Sequence, residues 1–202
     1  MEKNIAFFDF DGTITTKDSF LDFIKYNVGK VRYYLGLFLL SPYYLYMKLG
    51  FISRHKLKEK FITYFLKGTN VIEFERVCNE YVDNRLPVIL NRNSVLLMQN
   101  HLTDGDEVCV VSASFSNWLL PWTKTMNVNC ICSELEILNH EITGKIKGEN
   151  CNFEVKSMRI NEKYLLKNYH NIYGYGDSEG DLEMLKLCTE SYYKKFPKLI
   201  QS

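Results

Sequence analysis

The sequence predicts an α/β fold, with a doubly wound, mainly parallel sheet and an inserted all-helical domain. Two observations predict this fold. In residues 1–16 and 103–202, short apolar runs alternate with helical patterns, which is typical of parallel strands connected by helices. In residues 17–102 only helical patterns occur, and the stretch is too long for a single crossover. We therefore predict a core of residues 1–16 and 103–202 and a helical cap of residues 17–102.

The first strand and the cap helices have local signals of their own. The apolar run at residues 5–8 is typical of a buried strand, and Gly12 marks the turn after it. Apolar residues spaced three and four apart then predict cap helices in residues 18–26, 53–66 and 71–84. Ser53 and Asn70 stand at expected N-cap positions, and Pro87 lies where a first helical turn tolerates proline.

Strand and helix patterns alternate in the second part of the chain. A buried strand is predicted at residues 107–111, and further strands at residues 129–132, 171–175 and 190–193. Helices are predicted from about residue 116, at residues 153–167 and at residues 178–187. The turn-forming pair Asn139 and His140 predicts a hairpin within residues 135–147.

Charge and hydropathy argue against several classes of function. The formal net charge of +1 argues against nucleic-acid binding, and the chain has no polybasic tail for an anionic membrane. Residues 33–47 carry no charge, but this run is shorter than the about 20 residues of a membrane-spanning helix. It contains Pro42 and several tyrosines. We therefore predict no transmembrane segment, while a hydrophobic cap core, a cap lining and peripheral membrane contact stay open.

The cysteines and the N-terminus indicate a reducing compartment. Six cysteines are scattered through apolar stretches: Cys78, Cys109, Cys130, Cys132, Cys151 and Cys188. Their spacing matches no zinc pattern, so we expect free thiols. The N-terminal residues lead into the first strand without a signal-peptide pattern, which predicts a cytoplasmic location.

Polar and acidic residues follow three of the predicted strands. These motifs are DFDGT at residues 9–13, SAS at 112–114 and GDSEGD at 176–181. Because ligands of parallel α/β sheets bind at the carboxyl ends of the strands, we expect the motifs to meet in one site. Four acids would then converge: Asp9, Asp11, Asp177 and Asp181. Their mutual repulsion predicts a hard divalent cation with oxygen ligands, which points to Mg²⁺.

These residue types suit phosphoryl transfer. A carboxylate such as Asp9 can attack phosphorus and form an aspartyl-phosphate. Asp11 is then placed to act as general acid for the leaving group and as general base for water. Ser112 and Lys156 could bind the phosphoryl oxygens, and a cation would reduce the repulsion between carboxylate and phosphate.

Together the motifs resemble the haloacid dehalogenase superfamily, and within it the phosphoserine-phosphatase-like branch (subfamily IB). The resemblance is carried by DFDGTI at residues 9–14, VSAS at 111–114, Lys156 and GDSEGD at 176–181, and it covers almost the whole chain. It implies a Rossmann-like core with a C1-type cap inserted after the first motif.

The resemblance also implies a role for each motif residue. Asp9 would be the nucleophile and Asp11 the acid and base. Mg²⁺ would be bound by the Asp9 carboxylate, the Asp11 backbone carbonyl and the Asp177 carboxylate. The phosphate would be bound by Ser112 and Lys156, and supporting roles would fall to Thr13 and Asp181.

The resemblance implies a magnesium-dependent phosphatase for a small, phosphoserine-like phosphate ester. Asp18 occupies the position of the substrate-binding glutamate of that branch, but no arginine clearly matches its partner. The apolar residues 33–47 favour an alternative, a lipid phosphate such as phosphatidylglycerophosphate. A phosphotransferase and a phospho-accepting receiver module are further alternatives.

Overall fold

The computed structural model describes residues 3–195, which form one five-stranded parallel sheet and one two-stranded antiparallel hairpin. The strands are β1 (Ile5–Phe8), β2 (Glu107–Phe115), β3 (Asn129–Ser133), β4 (Leu135–Leu138), β5 (Glu141–Ile146), β6 (Ile172–Gly176) and β7 (Glu190–Tyr193). The parallel sheet has the order β3-β2-β1-β6-β7, and β4 pairs with β5. The predicted fold class is thereby confirmed.

The helices divide into a series between β1 and β2 and a second series that connects the later strands. Within residues 3–195 they are α1 (Ser19–Lys48), α2 (Arg54–Leu66), α3 (Val71–Asn84), α4 (Leu86–Ile89), α5 (Arg92–Thr103), α6 (Ser116–Thr125), α7 (Glu154–Lys163) and α8 (Leu182–Leu185). Single helical turns lie at Leu166–Asn168 and Glu179–Asp181, and Phe10–Ile14 forms a turn in which Asp11 and Gly12 have non-helical backbone angles. No helix of this part of the chain combines the length and apolar composition needed to cross a bilayer.

Strand β1 lies at the centre of the sheet and is buried on both faces. Ala6 and Phe8 belong to one apolar cluster, whereas Ile5 and Phe7 belong to another. Because successive side chains of a strand point to opposite faces, β1 separates two cores that are covered by helices. This burial explains the continuous apolar run and fixes the position of the residue that follows it.

Several predicted elements have different bounds in the structure. The helix predicted at residues 18–26 continues to Lys48, and the helix predicted at residues 153–167 ends at Lys163. Strand β2 continues to Phe115, so residues 112–114 lie on the strand and not after it. The extension is stabilised by pairing with β3, in which Ser112 is opposite Cys132 and Phe115 is opposite Ser133. The helix predicted at residues 178–187 is shorter, because Ser178 caps a separate turn that precedes α8.

The long first cap helix contains two interruptions that the sequence explains. Gly29 adopts a positive φ of 77° and breaks the helix. Pro42 has no N–H for the Phe38 carbonyl one turn earlier, and the Ser41 hydroxyl donates to that carbonyl at 2.7 Å instead. The helix therefore continues through Pro42, and the part of α1 after Gly29 forms one long surface on the cap.

The predicted N-caps, the predicted hairpin and the free cysteines are confirmed. The side chains of Ser53 and Asn70 accept hydrogen bonds from the first turns of α2 and α3. The hairpin β4–β5 packs against the cap, where the Gly68 N–H donates to the Ile142 carbonyl at 2.8 Å. All six cysteines are free. The predicted cap boundaries at residues 17 and 102 stay predictions.

A buried ion pair joins α1 to the region between α3 and α4, and its removal should destabilise the cap. Arg85 donates from two nitrogens to Asp22, whose side chain is 7% exposed. Arg85→Ala should lower the free energy of unfolding by about 2 kcal/mol, because it leaves the Asp22 carboxylate buried without its partner. Urea denaturation would measure the change. Arg76→Ala, which removes exposed ion pairs to Glu73 and Glu80, should have little effect; equal losses in both variants would contradict the assignment.

Candidate active site

The acids that follow β1 and β6 meet at the carboxyl edge of the sheet. Asp9 follows β1, and its N–H donates to the Tyr175 carbonyl of β6 at 2.9 Å. Carboxylate oxygens of Asp9, Asp177 and Asp181 lie within 4.8 Å of one another. The parallel pairing of β1 with β6 therefore brings together two motifs that are more than 160 residues apart in the sequence.

Lys156 lies between two of these carboxylates. Its Nζ donates to Asp9 Oδ1 at 2.5 Å and to Asp181 Oδ1 at 2.6 Å, and the residue is 1% exposed. Burial by itself would lower the pKa of Lys156, but attraction to the two carboxylates outweighs it and raises the pKa above its usual value. The lysine is therefore a fixed positive charge beside Asp9.

Asp181 is fully engaged in holding its neighbours. Its Oδ2 accepts hydrogen bonds from the N–H and hydroxyl of Ser178 and from the N–H of Asp177, at 2.8–3.2 Å. Burial opposes its ionisation, but Lys156 and these donors keep the pKa of Asp181 below its usual range. Since both of its oxygens are occupied, Asp181 has little capacity left for a ligand and instead positions Lys156 and Asp177.

The oxygens that remain at the centre of the site suit a hard cation. Among the described residues, Asp9 Oδ2 accepts no hydrogen bond, and Asp177 accepts only one at 3.5 Å from the Thr13 hydroxyl. Burial raises the pKa of Asp9 to about 8, and it also raises that of Asp177. A divalent cation would favour both ionised forms. Carboxylate oxygens are ligands that Mg²⁺ prefers, so this donor set fits the predicted metal.

Asp11 points from the same turn toward the start of the cap. Its Oδ1 accepts the Ser19 N–H at 2.6 Å, and its Oδ2 accepts the Ser114 hydroxyl at 2.6 Å. The Ser19 and Ser114 hydroxyls lie 2.9 Å apart. Sequence reasoning assigned no role to these two serines, although Ser114 follows Ser112 at the spacing of one strand face.

Ser112 occupies a different position from the one expected for a phosphate ligand. It is fully buried in β2, and its Oγ accepts the Ser114 N–H at 2.9 Å. Ala113 is the residue of this segment that lines the cavity beside Asp9. A contact between Ser112 and phosphate therefore stays a prediction.

Two adjoining cavities open onto these residues. The first has a volume of about 400 Å³ and is lined by Asp9, Lys156 and Asp177 among others. The second, of about 300 Å³, lies between the core and the cap. Both are lined by Asp11, Asp18, Ala113 and Asn152. A larger cavity of about 760 Å³ lies at the starts of β2 and β3, at the opposite edge of the sheet from the acids. The acids therefore identify the smaller pair as the candidate site.

The second cavity combines an apolar wall with charges of both signs. Its apolar wall is formed by Phe20, Leu21, Leu57 and Phe61, with Tyr44 beside them. Its charged residues are Asp11, Asp18, Arg54 and Lys58. The predicted specificity residue Asp18 also caps α1, since its Oδ1 accepts the Leu21 N–H at 2.9 Å. Burial, followed by the charge of Asp11, raises the pKa of Asp18 to about 6.

Lys58 is a site residue that the sequence did not reveal. Its Nζ donates to the Ala113 carbonyl at 2.5 Å and to Asn150 Oδ1 at 2.9 Å. Burial lowers the pKa of Lys58 to about 8, although Asp11 and Asp18 favour its charged form. A lysine in a cap helix has no sequence signal that distinguishes it from the solvent-exposed lysines around it.

Comparison with known proteins gives one family and several relatives. The model of the haloacid dehalogenase-like hydrolases matches residues 6–186. Protein CicA of Caulobacter vibrioides is 29% identical over 204 residues, covering 96% of this chain and 87% of that protein. The inhibition of morphological differentiation protein of Streptomyces azureus is 23% identical over 197 residues, covering 92% and 69%.

Solved structures share the fold at low identity. A Bordetella pertussis Tohama I protein of unknown function has a TM-score of 0.81 and 21% identity, covering 95% of this chain and 89% of that one. A substrate-bound phosphoserine phosphatase has a TM-score of 0.70 and 16% identity, covering 96% and 86%. The five-stranded parallel sheet with its flanking helices is therefore a known architecture.

Gly12 should be required for the acid cluster to form. Its φ is +86°, and a Cβ at this position would lie 2.2 Å from Asp177 Oδ2. Gly12→Ala should displace the Asp177 carboxylate and weaken Mg²⁺ binding at least about tenfold in calorimetric titrations.

A matched control separates this clash from backbone strain. Gly148 also has a positive φ, of 71°, but a Cβ at this position would meet no atom within 4 Å apart from its own chain neighbours. Gly148→Ala should therefore bind Mg²⁺ like the unsubstituted protein. Equal weakening in both variants would show that strain, and not displacement of Asp177, is the cause.

Proposed function

The chain belongs to the haloacid dehalogenase-like hydrolase family, and from this premise we propose that it is a Mg²⁺-dependent phosphomonoester phosphatase acting through an aspartyl-phosphate on Asp9. The observation that carries the proposal is the buried Lys156, which holds Asp9 from one side while Asp177 and Asp11 approach the same cavity. This arrangement presents a carboxylate nucleophile to an anionic group.

In the first step, one oxygen of the Asp9 carboxylate attacks phosphorus while Lys156 stays beside that carboxylate. The new bond joins this oxygen to phosphorus, and the bond from phosphorus to the ester oxygen breaks. The charge of Lys156 offsets the negative charge that gathers around Asp9 and the phosphoryl group. Because Lys156 is held by two carboxylates, no reorganisation of the side chain is needed.

Asp11 handles the protons in both steps. In its protonated form it donates to the departing ester oxygen, and the resulting carboxylate then takes a proton from the water that attacks the aspartyl-phosphate. The Ser19 N–H and the Ser114 hydroxyl fix the two oxygens of Asp11. Water attack cleaves the acyl phosphate, which restores Asp9 and releases phosphate.

Mg²⁺ would be held by the carboxylates of Asp9 and Asp177 and by the backbone carbonyl of Asp11. It would supply charge neutralisation between the carboxylates and the phosphate. Thr13, whose hydroxyl faces Asp177, and Asp181 would support these ligands.

The second cavity favours a small phosphorylated metabolite that carries both an acidic and a basic group, as phosphoserine does. Asp18 can pair with an ammonium group, and Lys58 or Arg54 with a carboxylate. No arginine for the role of binding the carboxylate was identified from the sequence, and Arg54 and Lys58 are the basic residues that line this cavity. The apolar wall of Phe20, Leu57 and Phe61 supports a second candidate, a lipid phosphate whose apolar part would lie against it.

Replacement of the nucleophile should abolish turnover without unfolding the protein. Asp9→Asn should reduce Mg²⁺-dependent hydrolysis of p-nitrophenyl phosphate at least about 10³-fold, because the amide is a poor nucleophile. The melting temperature should fall while the fold is retained, because the buried Lys156 then keeps only Asp181 as a charged partner. Asp83→Asn, an exposed position in α3, serves as the control. Unchanged turnover in Asp9→Asn, or full activity in a chelator, would refute the proposed chemistry.

The pH dependence of KM should report on Lys58. With a pKa of about 8, Lys58 is charged at pH 7 and about nine-tenths neutral at pH 9. The KM for phosphoserine should therefore rise about tenfold over this range if Lys58 binds the carboxylate. In Lys58→Arg the charge persists, so the rise should be absent.

A substrate panel separates the two candidates. Phosphoserine and short analogues should be hydrolysed with a higher kcat/KM than a phosphatidylglycerophosphate presented in detergent. The opposite order would favour the lipid phosphate and remove the proposed role of Lys58, while leaving the Asp9 chemistry in place.

A further inference from the structure

An exposed apolar face runs along the second part of α1. It consists of Val31, Leu35, Phe38, Leu45 and Leu49, which are 52–84% exposed, together with Phe51 beyond the helix. The opposite side of the helix is also apolar, and its Tyr33, Gly36 and Leu40 are buried. A helix that is apolar all round is normally buried all round. The α1 apolar face therefore lacks the polar residues expected of a helix surface in water.

This face concentrates the exposed apolar side chains of the molecule. Of the 22 large hydrophobic side chains that are exposed within residues 3–195, eleven lie between Val31 and Phe51. Soluble monomers rarely expose contiguous apolar patches of this kind unless the patch binds something. The question is which partner the surface fits.

The charges around the face identify the partner. Residues 23–58 contain seven Lys or Arg and no Asp or Glu, whereas the rest of the chain has 18 basic and 24 acidic residues. The basic residues of this segment are Lys25, Lys30, Arg32, Lys48, Arg54, Lys56 and Lys58. All except Lys25 and Lys58 are exposed. The net charge of +1 for the whole chain conceals this segregation.

Two exposed tyrosines of the segment lie under lysine side chains. Lys48 Nζ lies 5.6 Å from the ring centre of Tyr44, and Lys25 Nζ lies 5.0 Å from that of Tyr34. Aromatic rings with polar tips and lysines with long apolar stems are typical of the boundary between lipid and water. The face thus combines an apolar centre with an amphipathic, basic rim.

We propose that the α1 apolar face docks on the surface of an anionic lipid bilayer. Its apolar side chains would lie among the upper acyl chains and its basic rim among the headgroups. A second copy of the chain fits less well, because it would bring two strongly basic segments together. Tyr44 also lines the second cavity, so docking would place that cavity beside the lipid headgroups. The proposal does not depend on the chemistry proposed for Asp9.

Vesicle sedimentation tests the proposal. The full chain should sediment with vesicles of phosphatidylglycerol and phosphatidylcholine at least about tenfold more than with phosphatidylcholine alone, and this binding should weaken in high salt. The double variant Phe38→Ser/Phe51→Ser should bind the anionic vesicles at least about tenfold more weakly. Lys30→Glu/Arg32→Glu should lose binding to a similar extent.

Matched variants elsewhere on the surface control for a general change in hydropathy or charge. Ile72→Ser/Val88→Ser removes two side chains that are 72% and 70% exposed, and Lys124→Glu/Lys145→Glu reverses two exposed charges. Both should bind vesicles like the unsubstituted protein. If they lose binding equally, the α1 apolar face is not the docking surface.

Other outcomes would overturn the proposal. These are equal sedimentation with neutral and anionic vesicles, no sedimentation with either, and a dimer in sedimentation velocity that Phe38→Ser/Phe51→Ser dissociates. Turnover of p-nitrophenyl phosphate should be unchanged in every docking variant. A variant that loses vesicle binding but keeps turnover therefore tests only the docking proposal. Absence of turnover in the unsubstituted protein would contradict only the proposed function.

Discussion

The site depends on one buried lysine between two carboxylates. Lys156 could not remain charged at 1% exposure without Asp9 and Asp181, because the desolvation of an isolated ammonium is too costly. The same contacts offset part of the repulsion between the acids. Since Asp9 follows β1, Asp181 follows β6 and Lys156 lies in the first turn of α7, this single triad joins three elements of the core. The same three side chains therefore form the centre of the site and link the elements of the core.

Asp11 connects the start of the cap helix α1 to this site. One oxygen of Asp11 accepts the Ser19 N–H at the start of α1, and the other accepts the Ser114 hydroxyl of β2. Asp18 caps the same helix and lines both cavities. The position of the cap and the orientation of Asp11 are thus coupled. Movement of α1 would change the second cavity and the position of the Asp11 carboxylate together.

The inner and outer sides of the cap helix α1 have different surroundings. The inner side of α1 packs on α2, where Gly36 lets Phe65 approach closely. The outer side is apolar as well, but it faces water in the isolated chain. The chain segment that carries this side, residues 23–58, contains basic residues and no acidic ones. Tyr44 of the same helix also lines the second cavity.

The sequence by itself determined the fold class, the strand at residues 190–193, the caps at Ser53 and Asn70, and the acids at the strand ends. These features rest on local patterns and on the topology of parallel sheets, which short segments report directly. Only the tertiary structure decided that Lys58 enters the cavity, that Ser114 binds Asp11, and that β2 extends to Phe115. Each of these depends on a partner that is distant in the chain. The exposed side of α1 was undetermined for a related reason: when both faces of a helix are apolar, periodicity cannot say which one is buried.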